Sequence, residues 1–288
     1  MTNSGAARLA GLFDRPIFII SSPRSGSTLL FETMEKAPGL FTTGQESHGR
    51  IERIPPLWPG NRDWSSNRLE AADATSDVVQ RLSAAFLADL KDRDGRRPQA
   101  AFRMLEKTPK NALRIPFFNA AWPDALFVYL YRDPRETLAS MMEAWRSGRF
   151  RTYPRLPEWR GQAWSMLLVP GWRELNELPL AQIVAHQWAI TTKQILADLE
   201  ALPVQRVTAV SYNDFLTAPQ AVLERLTARL DLKWDRTLGE GLPFSKTTVS
   251  APGVDKWRRV AADIEAVWSI VEEPDARARA FIEAAGVS

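Results

Sequence analysis

Cysteine is absent from the chain, which excludes disulfides, thiolate nucleophiles and cysteine-based zinc sites. Histidine is nearly absent. Only His48 and His186 occur, too few for a histidine-rich metal centre. Charge of one sign is also scarce, because Lys and Arg exceed Asp and Glu by only 3. That balance does not mark a nucleic-acid binder, and none is expected as a partner. No apolar run approaches the roughly 18 residues that cross a bilayer, and no signal-peptide core opens the chain. A cytoplasmic protein without a membrane span is the expectation.

What is present suits a folded α/β domain. At 288 residues, with 45% hydrophobic and 25% charged residues, the chain can bury a full core. The stretch Ile17-Phe18-Ile19-Ile20 is short, apolar and β-branched, as in a strand covered on both faces. Ser21-Ser22-Pro23-Arg24-Ser25-Gly26-Ser27-Thr28 follows, where small residues let backbone N–H groups turn inward around an anion. Ser27 and Thr28 then open a helix whose unpaired N–H groups favour phosphate or sulfate. The nucleotide-triphosphatase P-loop, G-x-x-x-x-G-K-[ST], carries a lysine where Ser27 stands here. Losing that lysine argues against ordinary triphosphate hydrolysis and fits a shorter 5′ arm, such as a diphosphate or phosphosulfate.

Further strands are expected at Phe102–Leu105, Ala125–Tyr131 and Val207–Val210, alternating with helices from Thr28 to Lys36, Ser76 to Lys91, Leu180 to Leu199, and up to Leu230. Asp133 and Pro134 read as the cap and first turn of another helix, and Pro109 opens one as well. Such alternation implies a P-loop-like parallel β-sheet flanked by helices. No linker or repeat divides residues 1–288, so a single domain is expected. Met1 to Arg15 reads as a loose lead-in. Residues 145–178, with Trp145, Trp159, Trp164 and Trp172 among Pro, Gly and Arg, read as an irregular acceptor-side lid rather than a packed core element.

Four separated motifs resemble the sulfotransferase family, whose members use 3′-phosphoadenosine-5′-phosphosulfate, and its bacterial and tyrosylprotein branches more than its cytosolic one. Arg24, Ser25, Gly26, Ser27 and Thr28 resemble the family's 5′-phosphosulfate loop. Arg132, with Ser140 eight residues on, resembles its 3′-phosphate clamp. Tyr212-Asn213-Asp214-Phe215 resembles its Tyr-Glu-Asp segment, with Asn213 departing from the usual Glu. Lys256, Trp257, Arg258 and Arg259 resemble the basic segment that closes over the nucleotide.

The resemblance implies transfer of a sulfuryl group to a hydroxyl, with 3′-phosphoadenosine-5′-phosphate as product and no metal. The Gly-x-Glu loop makes Glu46 the candidate general base, with His48 as rival. A carboxylate cannot strip an alcohol beforehand, since the pKa gap corresponds to a cost on the order of 15 kcal/mol. The proton must move as the new bond forms. Arg24 and Lys107 would stabilise the leaving oxygen, with Lys107 in open solvent as the alternative. Tyr212 would line the adenine pocket or simply cap the sheet. Arg135 reads as solvated and His186 as structural. The acceptor is open among a small molecule, lipid or polyketide-type hydroxyl, a sugar, a phenol or a peptide. Two rivals remain. One is a P-loop kinase with Asp133 as its metal ligand, and the other is a nucleotide-binding protein without turnover.

Overall fold

A computed structural model describes residues 9–239, 242 and 256–287. Five parallel strands form the central sheet: β1 (Ile17–Ile20), β2 (Leu40–Phe41), β3 (Arg103–Lys107), β4 (Leu126–Tyr131) and β7 (Val207–Ser211), in the spatial order β2-β3-β1-β4-β7. A two-stranded antiparallel ribbon joins β5 (Arg151–Tyr153) to β6 (Trp164–Ser165). The helices are α1 (Ser27–Met34), α2 (His48–Glu52), α3 (Ser76–Leu87), α4 (Ile115–Ala121), α5 (Pro134–Ser147), α6 (Leu180–Glu200), α7 (Tyr212–Thr217), α8 (Pro219–Arg229), α9 (Ala261–Glu265) and α10 (Trp268–Ala285).

Side chains of a strand point alternately to its two faces, and β1 divides the core accordingly. Ile17 and Ile19 join Leu29, Leu30, Leu105 and Val128 in one buried cluster. Phe18 and Ile20 join the larger cluster under α3, α4 and α6 on the other face. Burial on both sides explains why β1 and β4 read as continuous apolar runs. Register then sets the site. Ile19 pairs with both Lys107 and Val128, so the carboxyl ends of β3, β1 and β4 emerge side by side.

Two expectations change on folding. Residues 1–8 of the expected lead-in lie outside the described residues, but the rest of it is anchored. Phe13 is buried, its ring centroid 4.8 Å from that of Phe102, and the two residues form a parallel bridge. The tryptophans of the expected lid are also packed, although their backbone is largely irregular. Trp145, Trp164 and Trp172 are fully buried, and Trp164 meets Trp145, Trp159 and Trp172 edge-on at 5.4, 4.8 and 5.9 Å. A buried indole N–H needs a partner. Trp145 donates to Gln187 Oε1, Trp164 to the Leu167 carbonyl and Trp172 to the Trp64 carbonyl. Among the described residues, no helix is long and apolar enough to cross a membrane.

Candidate active site

At the end of β1 the chain turns through Ser21 to Gly26 before α1 begins. Arg24 (φ 66°) and Gly26 (φ 91°) both lie in the left-handed region. Glycine enters that region without steric cost, whereas an arginine there stores roughly 1–3 kcal/mol of strain. Gly26 is required for a second reason. A Cβ at this position would lie 2.1 Å from Cε2 of Tyr212, so the ring of β7's successor residue rests directly on the turn. The N-cap of α1 has no side-chain capping bond, and a helix N-terminus favours an anion. Ser21, Ser22 and Ser25 are buried, and Ser22 Oγ lies 3.1 Å from Thr192 Oγ1 of α6.

Arg132 follows the last residue of β4. Its Nη1 donates to the Arg24 carbonyl at 3.1 Å and its Nη2 to Glu136 Oε2 at 3.2 Å, with its guanidinium 4.8 Å from the Tyr212 ring centroid. Ser140 lies two turns along α5 but is met by Arg24, whose Nε donates to Ser140 Oγ at 3.3 Å. The Arg24 guanidinium also lies 4.7 Å from the Phe150 ring centroid. Burial, with Arg132 and Arg149 nearby, pulls the Arg24 pKa below its ordinary value, against the raising effect of Glu143.

Lys107, at the end of β3, is almost wholly buried rather than solvated. Its Nζ donates to Thr28 Oγ1 at 3.0 Å and to Glu46 Oε1 at 2.5 Å. The second oxygen of Glu46 lies 2.7 Å from His48 Nε2. Burial alone would raise the Glu46 pKa. The hydrogen bond from His48 and the charge of Lys107 outweigh it and hold the carboxyl at about 2. His48 Nδ1 is buried without a hydrogen-bond partner among the described residues.

Most of these groups face one cavity of about 810 Å³; Ser25 and Lys107 do not line it, and Lys107 instead lines a smaller adjoining cavity together with Thr28 and Glu46. Arg24, Gly26, Ser27, Thr28, Glu46, His48, Arg132, Ser140, Tyr212, Lys256 and Arg259 all line the larger cavity. The expected basic segment is therefore split. Trp257 and Arg258 do not line the cavity. Trp257 instead lies 5.7 Å from the Arg135 guanidinium, which stacks at 4.1 Å on Trp268, so Arg135 is packed between rings rather than simply solvated. Asp133 also departs from the metal-ligand expectation. Its carboxylate accepts from the Arg135 backbone N–H at 2.8 Å and from Arg279 Nη2 at 2.8 Å. No group of three or more His, Cys, Asp or Glu side chains is placed to hold a metal ion among the described residues.

Sequence reasoning missed a buried network on the cavity wall. Lys110 Nζ donates to both Glu52 oxygens, at 2.6 and 2.8 Å, and to the Tyr153 hydroxyl at 2.8 Å. Arg114 Nη2 reaches Glu52 Oε1 at 2.8 Å. Burial, reinforced by Arg114 and opposed by Glu52, lowers the Lys110 pKa to about 8. Glu106 was missed too. It is buried, accepts from Thr108 Oγ1 at 2.6 Å and from Asn111 Nδ2, and its pKa is raised by burial. Thr108 Oγ1 in turn accepts the Ser47 N–H at 2.7 Å, which ties the loop carrying Glu46 to β3.

The fold and site define an α/β protein whose strand–loop–helix turn opens onto a cavity rich in basic side chains. The chain belongs to the sulfotransferase family, whose profile matches residues 16–236. It is 23% identical over 267 residues to protein-tyrosine sulfotransferase A of Caenorhabditis elegans, covering 89% of this chain and 62% of that protein. It is 27% identical over 128 residues to human protein-tyrosine sulfotransferase 1, covering 44% of this chain and 33% of the human protein. Among solved structures it shares its fold with a sulfotransferase from Mycobacterium tuberculosis at TM-score 0.50 and 15% identity, covering 94% of this chain and 80% of that one. A sulfotransferase from Alicyclobacillus acidocaldarius aligns at TM-score 0.50 and 17% identity, covering 93% and 96%.

Proposed function

We propose that this protein transfers a sulfuryl group from 3′-phosphoadenosine-5′-phosphosulfate to a hydroxyl of a small-molecule, lipid or polyketide-type acceptor. The observation that carries the reading is the triad Thr28–Lys107–Glu46. One buried ammonium is shared between the anion cradle and a carboxylate that faces the same cavity. In this reading Ser25 to Thr28 hold the 5′ arm, Arg132 and Ser140 receive the 3′-phosphate, and Tyr212 borders the base. Lys256 and Arg259 close the nucleotide end. The donor set suits such a ligand, because Arg24, Arg132, Lys256 and Arg259 line one cavity together with the turn residues Gly26, Ser27 and Thr28.

The acceptor oxygen forms a bond to sulfur while the bond from sulfur to the bridging phosphate oxygen breaks, and that oxygen keeps the electron pair. Glu46 receives the acceptor proton. With its pKa near 2, removing an alcohol proton in advance would cost on the order of 15–20 kcal/mol, so transfer accompanies bond formation. Neutralising Glu46 also cancels its attraction for Lys107. The ammonium is then free to act on the leaving oxygen, beside Arg24, at the moment negative charge develops there.

Calorimetric titration tests the donor assignment. The bisphosphate product should bind at least tenfold more tightly than 5′-adenosine monophosphate. Equal affinity would remove Arg132 and Ser140 from the reading. A kinase reading has less support, because Asp133 is committed to its helix cap and to Arg279.

A further inference from the structure

The cavity has more positive charge than its own acids can balance. Each acidic side chain on its lining stands with a cation: Glu46 with Lys107 and His48, Glu52 with Lys110 and Arg114, and Glu136 with Arg132. Glu143 acts on the charge of Arg24. The side chains of three lining cations, Arg53, Arg151 and Arg259, make no hydrogen bond or ion pair with other described residues. Arg259 sits beside Lys256 at the nucleotide end. Arg53 and Arg151 belong to a different wall.

That wall carries the apolar Trp58, Phe150, Met166 and Leu167 beside the polar Glu52, Lys110 and Thr152. Arg53 follows α2 and is succeeded by Trp58, whose ring is 6.1 Å from that of Tyr153 on β5. Arg151 opens β5, next to Phe150, and Met166 and Leu167 line the cavity opposite them in sequence from beyond β6. Arg151 is exposed. It lies across the helix-ending turn at Gly148 (φ 65°), where an added Cβ would come within 2.7 Å of its Nη2. A guanidinium offers paired N–H groups in the planar geometry that suits a carboxylate.

We infer that the acceptor is an amphiphilic hydroxy acid, with a flat or alkyl apolar body and an anionic group received by Arg53 and Arg151. The apolar body lies along Trp58, Phe150, Met166 and Leu167, and the hydroxyl points to Glu46. This inference rests on the sulfuryl-transfer reading above and adds the charge of the acceptor to it.

The test titrates 3-(4-hydroxyphenyl)propionate, 12-hydroxydodecanoate and the methyl ester of each into the full chain, with and without the bisphosphate nucleotide. At least one acid should bind about tenfold or more tightly than its ester, the range expected of charge-assisted hydrogen bonds. The R53A/R151A double variant should erase that preference while leaving nucleotide affinity unchanged. Equal binding of acid and ester, no binding by either acid, or a preference that survives in the double variant overturns the inference. Failure of the nucleotide itself to bind overturns the sulfuryl-transfer reading instead, so the two failures are distinct.

Discussion

Replacing Gly26 with alanine tests the closest backbone approach in the site. Two costs are built into G26A. The left-handed conformation of residue 26 costs an L-residue roughly 1–2 kcal/mol. The new methyl would also overlap Tyr212 at 2.1 Å, and pushing a packed ring aside costs about 1–3 kcal/mol. Only the first cost survives once the ring is gone. A double-mutant cycle over G26A, Y212A and the pair should therefore give a coupling of about 1–3 kcal/mol, with the alanine at 26 better tolerated in the Y212A background. Urea unfolding followed by far-ultraviolet circular dichroism measures all four proteins. Strict additivity would refute the argument, since it would mean that the ring does not rest on the turn.

Two further outcomes follow from the buried charges. E46Q should lower the turnover of sulfuryl transfer by about 10²–10⁴-fold, the usual range for a lost general base, while calorimetric affinity for the bisphosphate nucleotide stays within a few-fold. An unchanged rate would move the base to His48. The second concerns Lys110, whose pKa in the folded protein, lowered by burial to about 8, lies below its ordinary value of 10.5. Between these values the unfolded chain binds the extra proton, so the Lys110 contribution to stability increases as pH rises from 8 towards 10, by up to roughly 3 kcal/mol. Urea unfolding across that range should show this rise in the parent protein and not in K110M, and parallel curves would exclude it.

Local patterns were legible in the chain and long-range pairings were not. Ile17 to Thr28 announces its strand, turn and helix because all three are dictated by neighbours in sequence, and the Asp133 cap is equally local. Lys107 illustrates the opposite case. Nothing near it signals that parallel pairing with β1 will place its amine against Thr28 and against Glu46, which lies 61 residues away. The Glu52–Lys110–Arg114 network spans 58 and 62 residues, and nothing adjacent to its members in sequence marks them as partners. The tryptophans mislead for a related reason. Pro, Gly and Arg around them describe an irregular backbone correctly, but an edge-on packing of indoles depends on Gln187 of α6 and on Trp64, both remote in sequence.

Arg132 gives one of its N–H groups to the carbonyl of Arg24, while the side chain of the same Arg24 is held by Ser140 and Phe150. A single peptide unit is thus the hinge pin of both grips. Rotamer freedom that two long side chains would surrender on meeting a ligand is already surrendered when the sheet assembles. On the sulfuryl-transfer reading, the two ends of the nucleotide would meet a pre-set caliper, whose jaw spacing follows the distance between β1 and β4.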